Sequence, residues 1–204
     1  MRIIAGKWGG RRVQAPTGRD TRPTGDRVRE ALFSSLHSRI GSFDGLRVLD
    51  AFAGSGVLGL EALSRGAAFL ASAEYDARAC RIIEQNYASL QGVQPSEVSS
   101  DKNFLLYRGD IFKASSRLRN LAIDLAFFDP PYDVPDGKIY QLLDKLCQEK
   151  TFSYGALIVI ERAKTAQSED MLPDGFVSLD IKYKGETSLH FVAFTPVLES
   201  NSKH

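Results

Sequence analysis

At 204 residues, 43% hydrophobic and 25% charged, the chain has the length and apolar content of one doubly wound domain with a sizeable core. Two cysteines (Cys80 and Cys147) and three histidines, none at metal-ligand spacing, argue against a disulfide scaffold and a metal centre. No apolar run approaches the roughly 20 residues of a membrane span, and Met1-Arg2-Ile3 does not open a signal peptide, so a reduced, cytoplasmic protein is expected.

Residues 2–5 and 11–15 should pair as a short β-hairpin around Trp8-Gly9-Gly10. Residues 16–24, rich in Pro, Gly, Thr and Arg, read as a loop. Residues 25–39 read as an amphipathic helix with Val28, Leu32, Phe33, Leu36 and Ile40 on one face. The net charge of +1 conceals an imbalance: residues 1–40 carry nine Arg or Lys against three acids, while the remainder carries 17 against 22. A basic extension on a mildly acidic body points to an anionic polymer as partner. Arg11, Arg12, Arg19 and Arg27 are candidates for RNA contact, with Arg22 and Thr24 expected near the mouth of the site and Trp8 as an exposed stacking element. The chain thus divides into a basic extension (1–40), a catalytic domain (41–197) and a disordered tail (198–204).

Strands are expected near 46–50, 68–74, 103–108, 123–128 and 155–161, with helices near 57–66, 76–91 and 138–149. Two strands near 176–183 and 187–195 follow, joined as a hairpin through Lys184-Gly185-Glu186. Strands alternating with helices imply a mostly parallel sheet with helices on both faces, here closed by one antiparallel strand.

The first strand leads into Asp50-Ala51-Phe52-Ala53-Gly54-Ser55-Gly56-Val57-Leu58-Gly59, whose glycines fit the dinucleotide fingerprint G-x-G-x-x-G. Glu74 lies about 20 residues past the glycines, at the tip of the second strand, where a carboxylate can hold both hydroxyls of a ribose. Phe52 in the turn and Tyr75 beyond Glu74 belong to the same candidate cofactor site. NAD and S-adenosylmethionine (SAM) both carry that ribose, so these features alone leave either open. Three details favour SAM. Asp50 suits a cationic ammonium and would repel a pyrophosphate. Asp110, after the apolar run Phe104–Tyr107, can accept from an adenine amine with Ile111 against the ring. The fourth strand ends in Asp129-Pro130-Pro131-Tyr132.

That tetrapeptide carries the most chemistry. Each proline fixes φ and removes a donor, and Pro131 holds Pro130 extended. A fixed carbonyl, a carboxylate and an aromatic ring then stand together where open α/β sheets bind ligands. Such a set can accept hydrogen bonds from a planar –NH2 group while stacking on its ring.

Taken with the sequence from Met1-Arg2-Ile3-Ile4-Ala5-Gly6 through Thr21-Arg22-Pro23-Thr24 to Asp26-Arg27-Val28-Arg29-Glu30, the chain resembles the RsmD family of class I SAM-dependent methyltransferases. The resemblance runs from Met1 to about Thr195 and includes Tyr183-Lys184-Gly185-Glu186-Thr187. It departs at Glu161-Arg162-Ala163-Lys164, where a longer acidic run is expected. It implies a seven-stranded Rossmann-like sheet, SAM as cofactor, and methylation of the N2 amine of a guanine in bacterial 16S ribosomal RNA (position 966 in the usual count). The substrate it implies is an assembled or nearly assembled small subunit, and a monomeric enzyme is expected. Asp129, Pro130, Pro131 and Tyr132 would then be the catalytic set. The residues by themselves leave two rivals: an adenine-N6 methyltransferase acting on DNA, and an NAD-dependent oxidoreductase or non-catalytic nucleotide-binding module.

Overall fold

The computed structural model describes residues 1–15, 25–113, 115–164 and 171–196. Seven strands form one sheet: β1 (Arg47–Asp50), β2 (Phe69–Glu74), β3 (Phe104–Arg108), β4 (Ile123–Phe128), β5 (Phe152–Ala163), β6 (Phe176–Lys184) and β7 (Thr187–Phe194). Their spatial order is β3-β2-β1-β4-β5-β7-β6. The first five strands run parallel, and β7 lies antiparallel between β5 and β6. The helices are α1 (Asp26–Ile40), α2 (Val57–Ser64), α3 (Ala77–Gln91) and α4 (Asp136–Gln148). No helix among the described residues is long and apolar enough to cross a membrane.

The central strands are buried on both faces, so alternate side chains feed two cores. Val48, Leu70, Leu125, Phe127, Leu157 and Phe191 pack beneath α1, α2 and α3. Leu49, Ala71, Ala126, Phe128, Ile158 and Val192 pack on the other face beneath α4. The strand order reverses at β1, since β2 and β4 flank it in parallel. That switch point opens the crevice at the carboxyl tips of β1 and β4. Local signals set the edges: Asp76 caps α3 by accepting from the Arg78 and Ala79 N–H groups, and Gly92 ends it at φ 78°.

The amino-terminal segment differs from the sequence expectation. The hairpin shrinks to a single antiparallel bridge, Arg2 to Arg12. The strands cannot extend because the Ile4 and Ala5 N–H groups turn away from the partner strand and donate to the Glu61 carboxylate on α2, at 2.7 and 3.0 Å. Trp8 is buried in the same core as Ile3, Val13 and Phe33, which corrects its reading as an exposed stacking element. Its backbone N–H donates to Ser64 Oγ, and the Lys7 ammonium lies over its ring. On α1, Arg29 sits among Leu32, Phe33 and Leu36 in the buried stripe, fully enclosed, with Val28 and Ile40 only half-buried at its margins. Arg29 Nε lies 3.9 Å from Glu61 Oε2, and its Nη2 bonds to Asp26 and to the Arg2 carbonyl. Arg65 donates to the same Glu61. Removing one partner from such a buried pair strands the other charge, at a cost of about 3–5 kcal/mol.

Candidate active site

The turn after β1 needs its glycines for two different reasons. Gly54 and Gly56 take φ of 55° and 75°, the left-handed region that disfavours a side chain. Gly59 is needed for close approach: a Cβ there would lie 2.5 Å from Leu70 Cδ1, so α2 packs directly on β2. The turn is then tied to the neighbouring strand tips. Asp50 Oδ2 accepts from the Gly59 N–H at 3.1 Å. Glu74 Oε2 accepts from the Gly54 N–H and its Oε1 from the Asp76 N–H, both at 2.8 Å. The Gly109 N–H donates to the Glu74 carbonyl at 2.8 Å, which joins β3 to the same corner.

Around this corner Phe52 packs against Phe112 and Phe128, with ring centres 5.9 and 6.2 Å away. Ile111 is buried, and Asp110 is partly open while accepting from the Phe112 N–H at 3.0 Å. Tyr75 is 74% exposed and extends from the rim. The tips of β1, β2 and β3 thus bring Asp50, Phe52, Gly54, Gly56, Glu74, Asp110 and Ile111 to one crevice edge.

The tip of β4 faces them. Pro130 is buried, Asp129 is partly buried and Tyr132 is 47% exposed. The Pro131 carbonyl accepts from the Val134 N–H at 3.0 Å and closes the shelf as a turn. Burial pushes the Asp50 carboxyl up to about 7, with Asp129 and Glu74 adding repulsion against the Gly59 hydrogen bond. Burial also pushes the Asp129 carboxyl up, to about 6. Three carboxylates crowd one low-dielectric pocket, and such an arrangement favours a cationic ligand among them.

One residue that the motif reading missed holds the shelf in place. Arg162, near the end of β5, is only 5% exposed. Its Nη2 donates to the Val134 carbonyl at 2.6 Å, and its Nε lies 2.5 Å from Asp136 Oδ1 at the start of α4. Its signal was the basic break in the expected acidic run at Glu161–Lys164.

The candidate RNA residues fall into three groups. Arg11 is exposed and also donates to the Ser89 and Leu90 carbonyls at the end of α3. Arg12 and Arg27 are exposed. Arg19, Arg22 and Thr24 lie outside the described residues, as does the tail 198–204.

A parallel sheet in this order with an antiparallel β7, a glycine turn after β1 and acids at successive strand tips define the class I methyltransferase fold. The family model described as Conserved hypothetical protein 95 matches residues 1–193, and the chain belongs to this family, that of RsmD. The Escherichia coli K12 protein named Ribosomal RNA small subunit methyltransferase D is 38% identical over 162 residues, covering 79% of this chain and 74% of that protein. YlbH of Bacillus subtilis is 32% identical over 176 residues, covering 85% and 89%. Among solved structures, yhhF from Escherichia coli superposes with a TM-score of 0.74 at 29% identity, over 96% of this chain and 98% of that one. Fold and family together make the protein a methyltransferase.

Proposed function

We propose that the protein transfers a methyl group from SAM to the N2 amine of a guanine in 16S ribosomal RNA within an assembled or nearly assembled small subunit. The observation that carries this reading is the crowding of Asp50, Glu74 and Asp129 beside the Pro130-Pro131 shelf: a place for a cation next to a place for an amine. Similarity to a relative named as a small-subunit rRNA methyltransferase supports rRNA as the acceptor, in the cytoplasm where ribosomes assemble.

The residues present fit SAM. Asp50 is matched to its ammonium, Glu74 to its ribose hydroxyls, Asp110 and Ile111 to its adenine, and the glycine turn leaves backbone room beside them. When bound, SAM supplies an activated methyl on a sulfonium that loses its charge on transfer. Asp129 and the Pro130 carbonyl accept from the two N–H groups of the target amine and aim its lone pair. Asp129 then balances the positive charge that develops on nitrogen and receives the released proton. Tyr132 stacks on the target base, which must leave its neighbours to enter. Alignment contributes most, up to about 7–11 kcal/mol in well-oriented systems. Arg12, Arg19, Arg22, Thr24 and Arg27 contact the RNA strand, and Arg11 secures the segment that carries them.

The test is transfer of tritiated methyl from SAM to small subunits from cells lacking the protein, followed by mapping of the modified nucleotide. A single guanine-N2 product is expected. Labelling of duplex DNA instead, or calorimetric binding of NAD in preference to SAM, would overturn the reading.

A further inference from the structure

Away from the crevice, the structure holds a cavity of about 320 Å³ with a mixed polar and apolar lining. It lies on the α4 face of the sheet, bounded by the start of α4 and by β5, β7 and β6. Asp136, Arg162, Lys164, Tyr183, Ser188 and His190 are among its polar lining residues. The volume is at the lower end for ligand pockets and has room for a phosphate with its sugar.

The chemistry of the lining is unbalanced in one direction. A guanidinium carries five N–H donors. In Arg162, Nη2 serves Val134 and Nε faces Asp136, while Nη1 is buried with no hydrogen-bond partner among the described residues. Asp136 offsets the charge of Arg162, and the exposed Lys164 adds a further positive charge. Ser188 Oγ lies 2.9 Å from His190 Nε2 and 3.5 Å from the Arg162 carbonyl oxygen. Burial holds the His190 pKa below its ordinary value, with Arg162 adding to that and Asp136 opposing it. The imidazole is therefore neutral near pH 7 and carries one N–H; with the Ser188 hydroxyl donating to Nε2, that proton sits on Nδ1, which can donate to a ligand. A buried guanidinium nitrogen, an exposed ammonium and an imidazole thus line one space, whose excess positive charge attracts an anion.

Two features select a phosphodiester. Tyr183 stands at the mouth, 63% exposed, paired across the hairpin with Ser188. An aromatic ring beside an anion site is what one nucleotide of an unpaired strand offers to fill: a phosphate below and a base above. The cavity also shares Arg162 with the catalytic shelf, so a strand whose target base reaches Tyr132 passes close to it.

We propose that this cavity binds a backbone phosphate of the substrate RNA adjacent to the target guanine, with the flanking base on Tyr183. The proposal rests on the reading that RNA is the acceptor. Arg162 then acts as a positioning residue with two faces: one holds the Val134 carbonyl and Asp136, the other holds the phosphate. Occupation of the cavity and the position of the Asp129–Tyr132 shelf become linked through a single guanidinium.

The test has two arms. In the first, protein labelled with 15N in arginine and histidine is titrated with dimethyl phosphate, with acetate and chloride at matched ionic strength as controls. Saturable shifts of the Arg162 and His190 resonances with dimethyl phosphate are expected, lost in Ser188→Met, which fills the space without touching the shelf. In the second, His190→Ala and Tyr183→Ala are each expected to raise KM for small subunits roughly tenfold, the loss of about one good contact, with SAM affinity unchanged. Shifts no larger than those with chloride would overturn the phosphate site. Tighter binding of acetate, with KM unchanged in both variants, would overturn it in favour of an acidic peptide. If dimethyl phosphate saturates the cavity but wild-type protein methylates no RNA, the rRNA reading falls while the phosphate site stands.

Discussion

At the tips of β1 and β2 the carboxylates are already engaged by the protein itself: Asp50 by Gly59, Glu74 by Gly54 and Asp76. At the tip of β4, no hydrogen bond to the Asp129 carboxylate is found among the described residues, and Tyr132 stands half in solvent. The two sides of one crevice are built to different tolerances. The β1–β2 side is tied together before any ligand arrives, which suits a small molecule whose shape never varies. The β4 side fixes its backbone with two prolines and Arg162 but leaves its hydrogen-bonding groups open, which suits a group presented on a large particle. Fixing the backbone while leaving the acceptors free keeps the ordering cost of binding low.

The contrast breaks most sharply at Asp129. Asp129→Ala is expected to lower the single-turnover rate by about 10²–10⁴ while SAM affinity stays within a few-fold. A near-wild-type rate at saturating substrate would leave Asp129 as a turn residue and both sides alike. Glu74→Ala should act in the opposite sense. SAM affinity should fall roughly 10- to 150-fold, the loss of one charge-assisted hydrogen bond, with the fold retained by circular dichroism. Unchanged calorimetric affinity would remove the ribose assignment.

Titration sharpens the same comparison. Asp129 must be ionised to accept from the amine, so the single-turnover rate should fall about tenfold per pH unit below about 6. Stability runs the other way. A carboxyl whose folded pKa lies above its unfolded value binds protons more tightly when folded, so the penalty is absent in acid and grows as pH rises toward 7. The melting temperature without ligand should therefore decline from pH 5 to 7, and Asp50→Asn should flatten that decline. A slope unchanged in the variant would mean that Asp50 is ionised throughout. The smallest effect belongs to the arm. Arg12→Ala with Arg19→Ala should reduce the log–log salt slope of subunit binding by up to about 0.9 per phosphate contact, leaving SAM affinity alone. Identical slopes would place RNA recognition elsewhere.

The strands and helices of the catalytic domain could be read from the sequence because their signals are local. Apolar runs, glycine punctuation and an Asp cap place β1 to β4 and α2 to α4 within about two residues of the observed bounds. β5 begins three residues before the expected 155, because Phe152 pairs with Ile123 before a register shift. The crevice acids were legible for a similar reason: a carboxylate just past an apolar run sits at a strand tip. What escaped were partnerships between distant segments. The burial of Arg29 and Arg162 has no local sign in the sequence, since nothing near them announces Glu61 or Val134. Trp8 looked exposed among lysine, arginine and glycine, yet it belongs to the same buried core as Ile3, Val13 and Phe33. The acceptors of Arg11, at residues 89 and 90, are likewise remote in the sequence.

The carboxylate of Glu61 has a consequence for how this chain comes into being. Residues 3–14 are synthesised before the groups that receive them: Glu61 for the Ile4 and Ala5 N–H groups, Ser64 for Trp8, Asn86 for Gln14 and Leu90 for Arg11. On a growing chain the leading segment has nowhere to dock until α2 has formed, and it is not fully seated until α3 is complete. Synthesis order and docking order are reversed. The segment that carries the basic arm is thus a late clasp over finished helices, and its closure reports that the nucleotide-binding half beneath it has been built.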